Sequence, residues 1–390
     1  MTSTFGNIMH LSIFGESHGP AVGCVIDSPP PGVEVNMSAI ARHMARRAPG
    51  QAGAWSTARR ESDEPEILSG VFNGRTTGTP LAAMIRNADT RSKDYAALAN
   101  TPRPGHGDLT GRIRYCGFND FRGGGHFSAR ATAGLCFAGA LALEALGKCG
   151  ICVRARIAEI GGIADESAPD AREGLPDLSD KALAVIDDAA GAKMVEAIER
   201  ARADGDSVGG VVEVRATGVR PGVGAPFFDR IETRLGAVLF SINAVRAVEF
   251  GDGFAAARSR GSCNNDAPVP ASDPGAKPAI DSVLRASNHA GGTDAMRSAD
   301  SLLRASNHAG GAEGGISTGM PIRIRVAFKP TPSISKVQRT VDLETGEEVD
   351  LRIAGRHDPC VVPRAVPIVE SAVAFTLWDM LLENAAALGR

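Results

Sequence analysis

The sequence lacks an excess of either sign of charge. Its 390 residues include 42 Lys and Arg side chains and 45 Asp and Glu side chains, which leaves a formal net charge of −3. Proteins that bind nucleic acids usually carry a basic excess, so the composition argues against such a partner, although local clusters can bind small anions. No apolar run reaches the length of about 18 residues that spans a membrane, and no signal-peptide pattern begins the chain. We therefore expect a soluble, cytoplasmic protein without a membrane partner.

Cysteine and the common metal or nucleotide signatures are equally scarce. Seven cysteines form an odd and scattered set, which favours reduced thiols. The single CxxC, from Cys149 to Cys152, has no second pair, and no H-E-x-x-H occurs, so we expect no metal. No dinucleotide fingerprint is present either.

Glycine and proline are abundant. The 46 glycines and 23 prolines make up about 18% of the chain, against roughly 12% on average, and predict many tight backbone sites in a globular protein. Six of the eight histidines lie within two residues of a glycine: His18, His106, His126, His289, His308 and His357.

Hydrophobic periodicity predicts a mixed fold of α+β layers rather than an all-parallel sheet. The predicted strands cover 11–14, 21–26, 153–160, 211–215 and 322–328. The predicted helices cover 36–47, 131–147, 179–203, 228–246 and 370–388, with Asn36 and Ser179 as N-caps. Residues 50–120 show a weak, loop-rich pattern.

The first chemically suggestive sequence is GESHG, residues 15–19. It matches the G-x-S-x-G pattern of a hydrolase nucleophile elbow, which requires a helix after the serine. Here Pro20 and a predicted strand follow, so the hydrolase interpretation fails. Ser17 and His18 in a flexible turn suit a polar substrate, and a plain β-turn is an equal alternative.

The second is RGGGHFSAR, residues 122–130. Three glycines let backbone N–H groups approach a ligand, and the following helix offers its positive end. The two flanking arginines favour phosphate or carboxylate binding over a purely structural turn.

Two further sequences, RPGHGD at 103–108 and GRHDPC at 355–360, place arginine, histidine and aspartate on stiff turns. These residue types suit anion binding and proton transfer near neutrality. Metal binding or solvated surface turns remain alternatives. Lys329 to Ser333 (KPTPS) ends the strand at 322–328 and is a weaker candidate for phosphate binding.

A tandem duplication lies between residues 281 and 311. Residues 281–292 recur as 300–311 with one difference, Val283 against Leu302. Two copies do not form a repeat fold, and residues 267–278 are rich in proline and alanine. We therefore expect a single domain, residues 1–390, with a surface insertion at about 267–299.

Taken in order, these motifs resemble those of the chorismate synthase family. The resemblance also includes SINA at 241–244, EFGDGF at 249–254, SNHAGG at 306–311 and GGIS at 314–317. It implies a single-domain βαβ sandwich, usually a homotetramer. It also implies 1,4-elimination of phosphate from 5-enolpyruvylshikimate 3-phosphate, which gives chorismate in the shikimate pathway and requires reduced FMN.

The resemblance also implies roles for individual residues. His18 and His106 would be the protonating histidines, and Asp358 would assist proton removal. The substrate would be held by Ser17, Arg47, Arg103, Ser128, Arg130 and Arg356. The FMN site would comprise His126, Phe127, Ser128, Asn243, Ala244, Gly314, Lys329, Pro330, Thr331, Pro332, Ser333 and Arg356.

This chain departs from many family members at His126-Phe127, where Arg-Ser is common, and at Ala48, Gly53 and Ala54, where arginines are common. Two other functions stay open at this point. One is a metal-dependent phosphohydrolase that uses His106, Asp108, His357 and Asp358; the other is a non-catalytic flavin-binding module. The flavin would be reduced either with NADPH by the protein itself or by an external reductase, and the missing dinucleotide fingerprint favours the latter.

Overall fold

Two antiparallel sheets enclose a layer of helices in the structure, a computed structural model that describes residues 3–50, 63–88, 99–269, 303–353 and 358–389. The first sheet has the order β1-β2-β3-β7-β4, and the second has the order β11-β16-β10-β8-β9. The strands of the first sheet are β1 (Thr4–Phe5), β2 (His10–Gly15), β3 (Ala21–Asp27), β4 (Glu66–Ser69) and β7 (Leu81–Arg86). Those of the second are β8 (Cys152–Ile160), β9 (Ile163–Ala164), β10 (Gly210–Thr217), β11 (Val245–Phe250) and β16 (Ile322–Phe328).

The helices and four small strand pairs complete the described part of the chain. The helices are α1 (Met37–Arg47), α2 (Asp108–Arg114), α3 (Thr132–Lys148), α4 (Asp188–Ala203), α5 (Ile231–Ser241), α6 (Gly261–Asn264) and α7 (Val362–Ala387). The small pairs are β5 (Val71–Phe72) with β6 (Arg75–Thr76), β12 (Pro268–Val269) with β13 (Leu303–Arg304), β14 (Ala312–Glu313) with β15 (Ile316–Ser317), and β17 (Gln338–Val341) with β18 (Glu348–Leu351).

Helices α3 and α7 pack against each other at the centre of the molecule. Helix α3 contacts β2, β3 and β7 of the first sheet, and α7 contacts β8 and β10 of the second. The two helices approach very closely at Gly139, where a Cβ atom would lie 2.1 Å from the Cβ of Ser371. Both sheets therefore bury their inner faces against one helical layer, as the βαβ prediction requires.

The same two helices are long and apolar enough, by length and mean hydropathy, to cross a membrane. In the fold, 72% of the most apolar window of residues 129–148 is buried, and 89% of that in α7. Both helices are therefore buried core helices of the fold. Helix α7 is not an uninterrupted apolar run, because Glu370 and Asp379 lie within it.

Helix α7 also anchors the segment that leads into β2. The buried carboxylate of Asp379 accepts hydrogen bonds from the backbone N–H groups of Asn7, Ile8 and Met9 at 2.8–2.9 Å. It also accepts one from Arg234 of α5 at 2.6 Å. A buried charge needs such partners, and they fix the start of the strand that carries the Ser17–His18 turn.

The predicted α+β layers are confirmed, and several boundaries are wrong. Residues 179–187 are not helical: the carbonyl of Ala184 accepts from the N–H of Ile157 in β8, and α4 begins only after Asp187, whose side chain caps it. The helix predicted to reach residue 246 ends at Ser241, because Ala244 adopts φ +69° and β11 follows. Helix α7 begins eight residues earlier than predicted, at Val362.

The prediction that residues 50–120 are loop-rich is wrong over much of the described part of that span. Strands β4 and β7 belong to the first sheet, and α2 follows the RPGHGD sequence. Strand β7 alternates buried and half-buried side chains, but its alanines and methionine are weak strand formers. Tertiary packing against β3 determines its structure.

The duplicated segment falls mainly outside the described residues, but both of its flanks are described. Pro268 pairs with Arg304 and Val269 pairs with residue 303 in an antiparallel ladder. The chain therefore leaves and re-enters the fold at neighbouring positions, a geometry that tolerates changes in loop length.

Deletion of residues 281–299 is expected to leave soluble yield unchanged and the thermal midpoint within a few degrees. The matched deletion of residues 300–318 also removes 19 residues but takes out Asn307, whose side chain donates to the carbonyls of Ala171 and Pro321. That deletion should prevent folding. Loss of soluble protein from the first deletion would contradict the assignment of the first copy as the insertion.

Candidate active site

The turn between β2 and β3 carries Ser17 and His18, and one amide side chain holds it in place. Asn87, which follows β7, donates from Nδ2 to the carbonyl oxygens of Glu16 at 3.0 Å and Gly19 at 2.8 Å. Ser17 is buried in this turn. The sequence analysis missed Asn87, because its role depends on the pairing of β3 with β7, which was not predicted.

The glycine loop at residues 123–125 lies between the two predicted histidines. All three glycines have positive φ, +60°, +86° and +54°, a conformation that glycine adopts without strain. A Cβ on Gly123 would lie 2.7 Å from Cε1 of His18, and one on Gly124 would lie 3.1 Å from Cε1 of His106. Adjacent Cα atoms are about 3.8 Å apart, so both imidazoles contact one short stretch of backbone.

His106 belongs to a tightly bonded cluster with Arg103 and Asp108. The Nδ1 of His106 lies 2.6 Å from Oδ1 of Asp108, and Arg103 donates to both oxygens of that carboxylate, from Nε at 2.7 Å and Nη2 at 2.8 Å. Burial alone would raise the pKa of Asp108, but hydrogen bonds from Arg103 and His106 outweigh it and hold the pKa well below its usual range. The carboxylate is therefore ionised at neutral pH.

Arg103, expected to bind substrate, uses its guanidinium within the protein. Besides its bonds to Asp108, its Nη1 donates to the hydroxyl of Ser333 at 3.0 Å, and the residue is buried. The structure thus connects the RPGHGD loop to the KPTPS segment, two sequences more than 200 residues apart.

The KPTPS segment lies against the His106 loop. Lys329 donates from Nζ to the carbonyl of Gly105, and burial together with the Arg246 guanidinium lowers the pKa of Lys329. The Thr331 hydroxyl donates to the carbonyl of Asp358 at 2.9 Å. Pro330 is exposed, and Pro332 is half-buried. Lys329, Pro332 and Ser333 therefore lie beside the loop that carries His106.

Asp358 lies beside the KPTPS segment and forms an ion pair. Its carboxylate accepts from Nη1 of Arg364 in α7, whose Nε donates to the carbonyl of Arg47 at 2.8 Å. Arg364 was not among the predicted site residues, although it follows GRHDPC by only four positions. Arg356 and His357 lie outside the described residues.

Two predicted substrate arginines meet at one buried carboxylate. Asp63 accepts from Arg47 on one oxygen and from Arg130 on the other, and all three side chains are at most 3% exposed. Arg130 also donates from Nε to Oδ1 of Asn87 at 2.8 Å. Asn87 thereby connects this buried cluster to the turn that carries His18.

Residues 126–128 (HFS), which follow the three glycines, stabilise the loop through contacts with the rest of the protein. The His126 ring hydrogen-bonds through Nδ1 to the carbonyl of Gly15 at 3.0 Å. The Phe127 ring packs on α2, where a Cβ on Gly111 would lie 2.5 Å from it, and Asn243 donates to the Phe127 carbonyl at 2.8 Å. The Ser128 hydroxyl caps the next turn. These contacts support the loop's shape and leave the Phe127 ring engaged with the protein.

Ala244 and Gly314 lie at opposite ends of β16. The carbonyl of Ala244 accepts from the N–H of Lys329 at 2.9 Å, which places Ala244 near His106. Gly314 lies in the β14–β15 turn, which contacts residues 225–231 before α5. Gly314 thus lies beside the start of α5 and Ala244 just beyond its end, and the eleven residues of this helix span about 16 Å at 1.5 Å per residue. The structure therefore does not place Gly314 beside Lys329.

Comparison with known proteins shows the family of the chain. A family model described as chorismate synthase matches residues 9–382. The chain belongs to the chorismate synthase family. Chorismate synthases of Korarchaeum cryptofilum and Thermococcus kodakarensis are 46% and 45% identical over 383 and 381 residues, and the alignments cover 97% and 98% of each pair of chains. That of Cytophaga hutchinsonii is 42% identical over 386 residues, covering 99% of both.

A solved crystal structure of a chorismate synthase superimposes with a TM-score of 0.70 at 28% identity, covering 97% of this chain and 93% of that one. The likeness confirms the predicted α+β layered fold of the chorismate synthase type. The family assignment makes the chain an enzyme, a carbon–oxygen lyase of class EC 4.2.3.5.

Proposed function

We propose that this chorismate synthase family member eliminates phosphate and a proton from 5-enolpyruvylshikimate 3-phosphate to give chorismate, with reduced FMN bound beside the substrate. The C–O bond to phosphate breaks with its electron pair, a ring C–H bond loses its proton, and a second ring double bond forms. The observation that carries the proposal is the placement of His18 and His106 against adjacent glycines of one loop.

The residues around the glycine loop supply proton transfer and positive charge. In this scheme the imidazolium of one histidine donates a proton to the departing phosphate, which would otherwise leave as a more highly charged anion. The other histidine holds a proton at the flavin, and Asp358 is the carboxylate that assists removal of the ring proton. Lys329 contributes positive charge at the His106 loop.

The residues present fit a flavin and its phosphate. The glycine loop is a cradle that any Cβ would fill, and Lys329, Thr331, Ser333, Asn243 and Ala244 offer an ammonium, hydroxyls, an amide and backbone groups around it. When bound, reduced flavin supplies electron density that assists departure of the allylic phosphate. The protein positions the reactants and excludes water.

A single assay tests the proposal against its alternatives. The full-length protein is mixed with substrate and dithionite-reduced FMN under anaerobic conditions, with and without a chelator. Chorismate formation unaffected by chelator supports the proposal. Phosphate release without chorismate, abolished by chelator, supports the phosphohydrolase, and flavin binding without turnover supports the binding module.

The contacts of Asp108 and Asp358 weigh against the phosphohydrolase. Each carboxylate forms an ion pair with an arginine, Asp108 with Arg103 and Asp358 with Arg364. These ion pairs make the two carboxylates less suitable as metal ligands. Cytoplasmic location, assembly as a homotetramer and supply of reduced flavin by an external reductase rather than NADPH remain parts of the proposal. The homotetramer is taken from the family resemblance, and the external reductase is favoured by the missing dinucleotide fingerprint.

Replacing Gly123 with alanine is expected to lower turnover by about tenfold or more. The residue has φ +60°, which costs an alanine about 1–3 kcal/mol, and the new methyl would lie 2.7 Å from Cε1 of His18. Gly117→Ala is the matched control, because Gly117 has φ +81° and an added Cβ there would have no atom within 4 Å. Equal losses of turnover in both variants would show that backbone strain, not displacement of His18, causes the effect.

A further inference from the structure

The orientation of the His106 ring follows from its two neighbours on Nδ1. That nitrogen lies 2.6 Å from Oδ1 of Asp108 and 3.0 Å from Nη2 of Arg103. A guanidinium only donates and an ionised carboxylate only accepts, so Nδ1 cannot satisfy both. Because the shorter contact is to the carboxylate, Nδ1 carries a proton and donates it to Asp108.

The other ring nitrogen is thereby assigned. With Nδ1 protonated, Nε2 is the atom that gains or releases a proton, and it faces Gly124, where a Cβ would lie 3.3 Å from it. Within the described part of the chain, Nε2 has no hydrogen-bond partner. The His106 side chain is 15% exposed, so the ring is not fully enclosed by the protein.

The surroundings of Asp108 hold it in one orientation. The guanidinium of Arg103 forms a bidentate hydrogen bond to the carboxylate, and the backbone N–H of Arg103 also donates to Oδ2 at 3.1 Å. The other charged groups around His106 are Lys329, on the Gly105 carbonyl, and, across the glycine loop, His18 and the Asp120–Arg122 pair. Asp108 is the carboxylate bonded to the ring.

We propose that Asp108 is a positioning residue that holds His106 in the Nδ1–H form, with Nε2 directed to the glycine loop as the proton donor. The proposal rests on the proposed function, in which His106 transfers a proton. Arg103 acts on His106 through Asp108, because it orients the Asp108 carboxylate. If Asp108 were removed, Arg103 would donate a hydrogen bond to Nδ1 of His106.

The first test reads the tautomer directly. Protein labelled with ¹⁵N only in histidine gives ring-nitrogen signals for eight residues, and a His106→Gln variant identifies those of His106. In the neutral ring of the wild type, Nδ1 should be the protonated nitrogen. In Asp108→Ala, Arg103 should donate to Nδ1, and the proton should move to Nε2. An unchanged tautomer would overturn the proposal.

The second test uses turnover with reduced FMN. Asp108→Ala should lower turnover by about tenfold or more, and by no more than His106→Ala, with FMN binding retained. In a His106→Ala background, Asp108→Ala should cost less than about twofold, because the two residues act as one unit. An equal loss in both backgrounds would mean that Asp108 serves only to fold the loop.

Two further variants serve as a conservative replacement and as a control. Asp108→Asn, whose amide oxygen still accepts from Nδ1–H, should retain the wild-type tautomer and an intermediate rate, and it replaces the alanine variant if that fails to fold. Asp170→Ala, which removes a more exposed aspartate that also bonds to an arginine, Arg172, should change neither. If the wild type forms no chorismate, the proposed function fails, while the tautomer comparison still decides the role of Asp108.

Discussion

Replacing His106 with alanine is expected to lower turnover by about 100-fold or more while FMN binding remains measurable. General acid catalysis by a placed side chain contributes about 10²–10⁴-fold, and His106 is held for this task by Asp108 and Gly124. The alanine removes the imidazole but leaves Lys329 and the backbone cradle. Steady-state turnover of chorismate formation under anaerobic conditions and a separate FMN titration measure the two quantities.

His10→Ala is the control for this experiment, because His10 is an exposed histidine on β2. It should retain turnover within about twofold, as ordinary surface substitutions do. Unchanged turnover in His106→Ala would remove this residue from the mechanism. Loss of FMN binding together with turnover would instead assign His106 to the cofactor site.

The strands with strong alternation could be predicted from the sequence, and those without it could not. Residues 322–328 alternate apolar and basic side chains and form β16 with the predicted bounds. Helix α1 follows its cap, Asn36, as predicted. The segment 179–187 resembles a helix in composition, yet its apolar side chains are buried alongside β8. Such packing is a property of the fold, which local propensity does not contain.

The candidate site likewise has residues that could be predicted from the sequence and residues that could not. Histidines on glycine-rich turns are candidates for proton transfer, and the structure brings two of them, His18 and His106, to one loop; their catalytic roles stay predictions. Two partners of the site, Asp63 and Asn87, lie outside any motif, whereas Asp108 lies in the same motif as His106. Asp63 and Asn87 act through strand pairing and burial, which place them beside Arg130, and no short sequence pattern encodes that proximity.

Replacing Asp63 with asparagine is expected to lower the free energy of unfolding by about 3–5 kcal/mol, the usual result of removing one partner of a buried ion pair. Arg47 and Arg130 would then remain buried without a counter-charge. For a chain of this size we expect the thermal midpoint to fall by roughly 5–10 °C. Glu66→Gln is the control: its pair with Arg86 is well exposed and contributes at most about 1 kcal/mol.

The effect of Asp63→Asn should also depend on pH in a defined direction. Burial alone would raise the pKa of Asp63, but Arg47 and Arg130 outweigh it and lower the pKa. A lowered pKa in the folded state adds stability above the unfolded value of about 3.9, and this stability is lost as pH falls through the folded value. The difference between wild type and variant should therefore be full near pH 7 and shrink below about pH 4. A difference that is independent of pH in denaturant titrations would show that side-chain packing, not charge, accounts for the contribution of Asp63.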